Sequence, residues 1–317
     1  LRLLFTALAI IGLSIKANSQ DLINTQPTSA YTTLNPSFMG KDSANLAYIT
    51  HRNQWPAIQG EYLFTNFGYH HYISKTNGNV GINVQHDLGR NAYENSSLSL
   101  NYSQNIKIKK SLLKIGGKAS YLQNTSRYYY RGIAQFDQQL GYTSSIEYWG
   151  GNGVVVSKFV DFSVGASFYS NGFTVGVATY HILDPINLSD EETFPLTRRI
   201  TGQVAKSFTG KINGHELEIS PYLLYRYQSF FEAVHVGFLG SYRWAVLGVS
   251  NRISNDINFI GGVKTKYFNL LYSYDLAISE DAQNFGGAHE MSLQFHPFKR
   301  QNKAHKNLLS VKSPFLL

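Results

Sequence analysis

Cysteine is absent from the 317 residues, which rules out a disulfide framework, thiol chemistry and any Cys-ligated metal site. Charge is scarce. Asp, Glu, Lys and Arg make up 15% of the chain, against about 25% in an average soluble domain. Long apolar runs are missing too: after Gln20 nothing approaches the ~18 apolar residues that a spanning helix needs. No Pro/Gly/Ser linker or break in composition divides the middle, so a single domain is expected. Metal ligation has no evident home. His70 and His71 are adjacent and must point to opposite faces of a strand, and no His-x-x-x-His or Cys cluster offers a better site. No Ser/His/Asp constellation stands out either, so the reading is a protein that is not an enzyme and uses no cofactor. Aromatics are plentiful, at 14% with 22 Tyr and 20 Phe.

What fills the chain is alternation. Val160-Asp161-Phe162-Ser163-Val164-Gly165-Ala166-Ser167-Phe168 places apolar side chains on one face and polar or tiny ones on the other. Comparable stretches lie near 44–55, 61–73, 79–88, 95–108, 111–123, 159–170, 173–183, 197–209, 214–228, 231–243, 244–253, 257–267, 268–278 and 288–298. Spans of about 9–11 residues suit tilted strands crossing a bilayer, and an even number returns both ends to one side. The expected fold is therefore all-β, an antiparallel transmembrane outer-membrane β-barrel of about fourteen strands. The connections provide a second check. Ser74–Gly78, Ile108–Lys110, Asn171-Gly172, Gly210–Asn213, Arg243-Trp244 and Tyr267-Phe268 are tight, whereas Gly89–Asn95, Asn124–Lys158, Asp184–Leu196 and Ser279–Ala288 include every long connection. Short periplasmic turns and long extracellular loops are the barrel pattern.

Four regions follow. Residues 1–19 read as a secretory signal peptide: an apolar run, Leu3–Ile15, follows Arg2, and Ala17 and Ser19 mark the cleavage site. Residues 20–43 are too polar for a membrane strand. Within them Asn35, Pro36 and Gly40 form a fixed turn, and the segment is expected to fold into the barrel mouth as a short plug, with a disordered periplasmic lead as the alternative. Residues 44–298 form the barrel. Residues 299–317 form a basic tail holding Lys299, Arg300, Lys303, Lys306 and Lys312, either a solvated end or a grip for an acidic partner or anionic lipid. The net charge of +8 is otherwise spread through turns and strands, so nucleic acid is not the expected partner.

Two places are candidates for partner binding. Arg52-Asn53-Gln54-Trp55 ends the first strand near the outer leaflet. It could fix a plug or receive a cargo strand; equally, Trp55 could sit in the interfacial belt with Arg52 paired in the lumen. The stretch Asn124–Lys158 carries Tyr128, Tyr129, Tyr130 and Trp149, large rigid contact groups of the kind found at binding hot spots, or a lid over the mouth. The acidic runs Asp190-Glu191-Glu192 and Glu280-Asp281 read as solvated loop charge, with Ca²⁺ binding the weaker alternative.

Several motifs together resemble the PorP/SprF family of type IX secretion outer-membrane proteins. Asn35-Pro36-Ser37-Phe38-Met39-Gly40 is similar to that family's Asn-Pro-Ala-x-x-Gly element, and His51-Arg52-Asn53-Gln54-Trp55 to its Tyr-Arg-Asn-Gln-Trp signature. Asp161–Leu183 resembles the central hairpin, and Tyr272-Ser273-Tyr274-Asp275 with His289-Glu290-Met291-Ser292-Leu293 the closing strands. His51 and Ser37 depart from the pattern. The resemblance implies a barrel working with the type IX export machinery, either coupled to its periplasmic components or paired with an exported surface adhesin whose C-terminal secretion domain it receives and anchors, for gliding or attachment. A porin or hydrophobic-solute transporter built on the same wall is the alternative.

Overall fold

A computed structural model describes residues 24–29, 31–40, 45–58, 61–89, 93–129, 136–137, 141–142, 152–183, 186–188, 196–229, 231–278, 283–296, 313 and 315. The strands are β1 (Leu46–Gln54), β2 (Tyr62–Ile73), β3 (Gly78–Gly89), β4 (Tyr93–Ile108), β5 (Ser111–Tyr129), β6 (Asn152–Ser170) and β7 (Phe173–Tyr180). Then come β8 (Arg199–Lys206, resumed as Phe208–Ile212), β9 (His215–Gln228), β10 (Phe231–Tyr242), β11 (Ala245–Arg252), β12 (Asp256–Lys264), β13 (Phe268–Ala277) and β14 (Ala288–Phe295). The two parts of β8 share one register on β9, Ala205 facing Tyr222 and Phe208 facing Ile219, so they are one wall strand interrupted at Ser207.

Every pairing is antiparallel between neighbours, and β1 pairs with both β2 and β14, which closes the sheet into a fourteen-stranded barrel. Closure leaves no edge for lipid to satisfy. Among the described residues three short strands stand outside the wall: Ile186–Asn187 lies on the outer part of β6, and Phe136–Asp137 pairs with Gly141–Tyr142. Among the described residues no helix is long and apolar enough to span a membrane, so the crossing is made by strands.

The alternation sets the two faces. Leu100 (65% exposed), Val164 (52%) and Leu247 (70%) point outward, while Ser99, Ser163, Asn258 and Ser273 are buried inside. An exposed apolar outside with a buried polar inside is the inverse of a soluble sandwich. At the short-turn end the lumen changes character. Leu46, Leu112, Tyr169, Ala205, Leu239, Val246, Ile260 and Leu271 belong to one buried apolar cluster that also takes in Phe38 and Phe315.

Tight hairpins fix the registers. Asn171 (φ 47°) and Gly172 (φ 74°), like Asn213 (φ 50°) and Gly214 (φ 76°), occupy the left-handed conformation that two-residue hairpins demand. The tight turn expected at Gly210–Asn213 thus falls at Asn213-Gly214, because Gly210 stays in the ladder opposite Leu217. A larger correction concerns Asn124–Lys158. Strand β5 runs on to Tyr129 and β6 starts at Asn152, with the ladder unbroken from Ser111↔Ser170 to Tyr129↔Asn152. The polar and aromatic composition hid the continuation of both strands, which Val154-Val155-Val156, a β-branched run, favours. Nineteen residues at ~3.3 Å each give about 60 Å of strand, far more than the ~25 Å apolar band needs even when tilted. The β5–β6 hairpin therefore projects beyond the membrane.

Candidate functional site

The inward faces meet residues 24–40. Tyr31–Leu34 makes one helical turn, and Pro36–Phe38 makes a turn of 3-10 helix capped by Asn35. The Asn35 amide oxygen accepts from the Ser37 backbone N–H (2.9 Å) and hydroxyl (2.7 Å), which fixes the cap. Its amide nitrogen then donates to Gln203 Oε1 (3.0 Å) and to the carbonyls of Val177 (3.2 Å) and Ala166 (3.3 Å). Pro36 supplies a preset φ at the first helical position. Two wall glycines make room: a Cβ at Gly165 would collide with the Asn35 side chain, and one at Gly116 with the Pro36 carbonyl. Lys114 donates to the carbonyls of Met39 (2.6 Å) and Gly40 (2.8 Å), and Gly40 takes a positive φ of 72°.

The other end of the segment is held at the seam where the barrel closes. Arg52 on β1 pairs with Asp275 on β13 (2.6 Å) and Glu290 on β14 (3.4 Å). Arg252 on β11 pairs with Asp256 on β12 (2.8 Å) and approaches Asp275 (3.6 Å). The Thr25 hydroxyl accepts from Arg52 (2.6 Å) and donates to Asp275 (2.6 Å). Glu290 accepts from the backbone N–H of Thr25 (2.7 Å) and Gln26 (3.2 Å) and from the Ser29 hydroxyl (3.1 Å). Arg52, Asp275, Glu290 and Asp256 are thus both paired and hydrogen-bonded, the condition for keeping charge out of water, while Arg252 is held by its ion pairs. Between these anchors, Arg199, Thr201 and Gln203 donate to the carbonyls of Thr33 (3.0 Å) and Leu34 (2.9 and 3.1 Å). Below, Phe38 stacks on Phe315 at 5.2 Å, and Tyr222 meets Phe315 edge-on at 6.1 Å. Both phenylalanines are fully buried, a placement for residue 315 that neither sequence reading of the tail anticipates.

On the opposite side of the segment lies a cavity of about 130 Å³ in the outer half of the lumen. Asp87, Lys118, Asp161, His181 and Arg199 line it, with Phe64 and Phe159. It can hold a small polar or amphipathic group.

The chain matches, over residues 16–295, the family described as type IX secretion system membrane protein PorP/SprF. The chain belongs to the PorP/SprF family. No curated protein matches it. Among solved structures it is similar to the CymD monoaromatic hydrocarbon channel, at 10% identity and TM-score 0.52, over 86% of this chain and 93% of that one. It also matches the Acinetobacter baumannii outer membrane protein Omp33 (10% identity, TM-score 0.45, 81% and 100% covered). A third match is CdiB from Acinetobacter baumannii (8% identity, TM-score 0.43), where the match spans 80% of this chain but only 60% of that one. At such identities CymD shares the barrel fold and nothing finer. Family and fold together make this an outer-membrane barrel of the type IX secretion system.

Of the residues singled out in this PorP/SprF protein, Arg52 lies at the centre of the seam cluster and Gln54 accepts from it at 3.3 Å. Asn53 donates to Glu61 (3.2 Å). Trp55 (φ 63°) packs its ring on Tyr62 (5.2 Å) and Phe285 (5.6 Å) outside the cluster. Tyr128 and Tyr129 end β5, and Tyr130 and Trp149 lie outside the described residues, as do residues 1–23 and the acidic loop runs. Sequence reading missed Thr25, Gln26, Lys114, Gln203 and Arg252 as partners. The signal was present: each of the strand residues is polar at an inward position of an apolar-alternating strand.

Proposed function

We propose that this protein is a closed docking barrel, without enzymatic chemistry, that receives the C-terminal domain of an exported surface protein such as an adhesin at its outer mouth and helps to export or anchor it. Its short-turn face contacts periplasmic components of the secretion apparatus. The observation that supports this reading is the bonding of residues 24–29 and 31–40 to both halves of the wall, and in this reading the segment is a plug where a pore would need water. The projecting β5–β6 hairpin, ending in Tyr128 and Tyr129, supplies a surface above the plug. Co-purification with a tagged full chain tests the proposal. Recovery of an adhesin C-terminal domain or of type IX components supports it, and recovery of neither counts against it.

The second reading is a channel for diffusing or hydrophobic solutes, favoured by the outer-half cavity. Planar bilayers separate the two. The docking barrel is electrically silent, and a large steady current from the purified protein would favour the channel.

A further inference from the structure

Every short turn at the sealed end of the barrel presents a cation. Lys75 lies in the β2–β3 turn, and Lys107, Lys109 and Lys110 surround the β4–β5 turn. Lys206 donates to the carbonyl of Asn171 (2.7 Å) and so covers the β6–β7 turn. Lys211, Arg243 and the Lys264/Lys266 pair mark the remaining three. Among the described residues, acids at this end are Glu216 and Glu218 on β9, and Glu216 stands directly opposite Lys211. At the other mouth the signs are mixed: Glu61, Asp87 and Glu94 accompany Arg127, Lys158 and Arg198, and Arg127 pairs with Glu94 at 3.3 Å.

The cations form a ring, and an aromatic girdle adjoins it. Trp244 (60% exposed), Tyr267 (58%) and Phe208 (58%) are exposed near the short turns, with Phe173 and Phe295. Exposed aromatics of this kind mark the boundary between hydrocarbon and headgroups. Lysines close to that boundary can hold their ammonium groups at phosphate height while their stems cover apolar surface. A soluble acidic partner would meet one face, whereas a leaflet meets the whole circumference.

We propose that this rim binds the anionic phospholipid headgroups of the periplasmic leaflet, with Lys107, Lys109 and Lys110 as its strongest point. Each cation near an anionic surface strengthens attachment roughly fivefold, less as salt screens it. The test is native mass spectrometry of the full chain released from detergent with equimolar phosphatidylglycerol and phosphatidylcholine. Phosphatidylglycerol should be retained several-fold over phosphatidylcholine, and added salt should erode the preference. Lys107→Gln with Lys109→Gln and Lys110→Gln should remove most of that several-fold preference and bring retention of the two lipids close to equal, while Lys158→Gln with Arg198→Gln at the outer mouth leaves it unchanged. Heat-modifiable gel mobility confirms folding. If the triple variant does not fold, Arg243→Gln with Lys266→Gln takes its place. Equal retention of the two lipids overturns the proposal. So does a loss matched by the outer-mouth variant, or preference for an acidic polyglutamate peptide over the lipid.

Discussion

Replacing Arg52 by Gln tests the reasoning at its most exposed point. The guanidinium reaches Asp275 at 2.6 Å and Glu290 at 3.4 Å, and the three side chains are 2%, 3% and 0% exposed. It also donates to Thr25, and through it holds the lumenal segment to three strands at the seam. Gln keeps a donor but removes the charge, which strands two carboxylates in a dry site. Breaking a buried pair from one side costs about 3–5 kcal/mol. Arg252, 3.6 Å from Asp275, offsets part of this and puts the expectation at about 3 kcal/mol. For a chain this long each kcal/mol moves the midpoint by about 2–4 °C, so a drop near 10 °C is expected in the heat-modifiable gel shift. Residues 24–40 should become open to proteolysis before the wall unfolds. Joining Arg52→Met to Asp275→Asn and Glu290→Gln removes every uncompensated charge and should recover most of the loss. An Arg52→Gln protein with unchanged midpoint and unchanged protection would refute the argument.

Three further outcomes follow from the same geometry. Gly116→Val should expel the segment, because its Cβ would strike the Pro36 carbonyl, while Gly117→Val, with nothing within 4 Å, should be silent; limited proteolysis of the two variants compares them. Asn35→Ala removes a side chain that makes five hydrogen bonds, to Ser37 and to the barrel wall, and should cost about 2–4 kcal/mol in denaturant midpoints with the segment released first. Phe315→Ala forfeits the stack on Phe38 and should cost about 3 kcal/mol, read as a lower gel-shift temperature with an intact barrel mobility.

The wall was legible because its physics is local. Period two, tight turns at Asn171-Gly172 and the segregation of long connections need only neighbouring residues, and fourteen strands came out of them. The ends of β5 and β6 did not, since Asn124–Tyr129 is polar on both faces once the strand leaves the lipid and alternation no longer distinguishes them. The seam cluster was half visible. Arg52 drew notice as a charge on a membrane strand, but its partners lie 223 and 238 residues away, and nothing local couples them. Phe315, beyond a masking run of basic residues, gave no periodic signal at all.

The placement of that cluster ties two folding events together. Barrel closure requires β1 to find β14, the most distant pairing in the chain, and such long-range contacts are entropically slow to form. Arg52, Asp275 and Glu290 lie on the strands that meet there, and like charges on Asp275 and Glu290 oppose that meeting until Arg52 arrives. Thr25, Gln26 and Ser29 then satisfy the remaining lone pairs, so the lumenal segment completes the seam rather than filling a barrel already made. A chain lacking residues 24–40 should therefore close more slowly as well as less stably. A truncated barrel that folds into detergent at the full-length rate would show that the wall closes on its own.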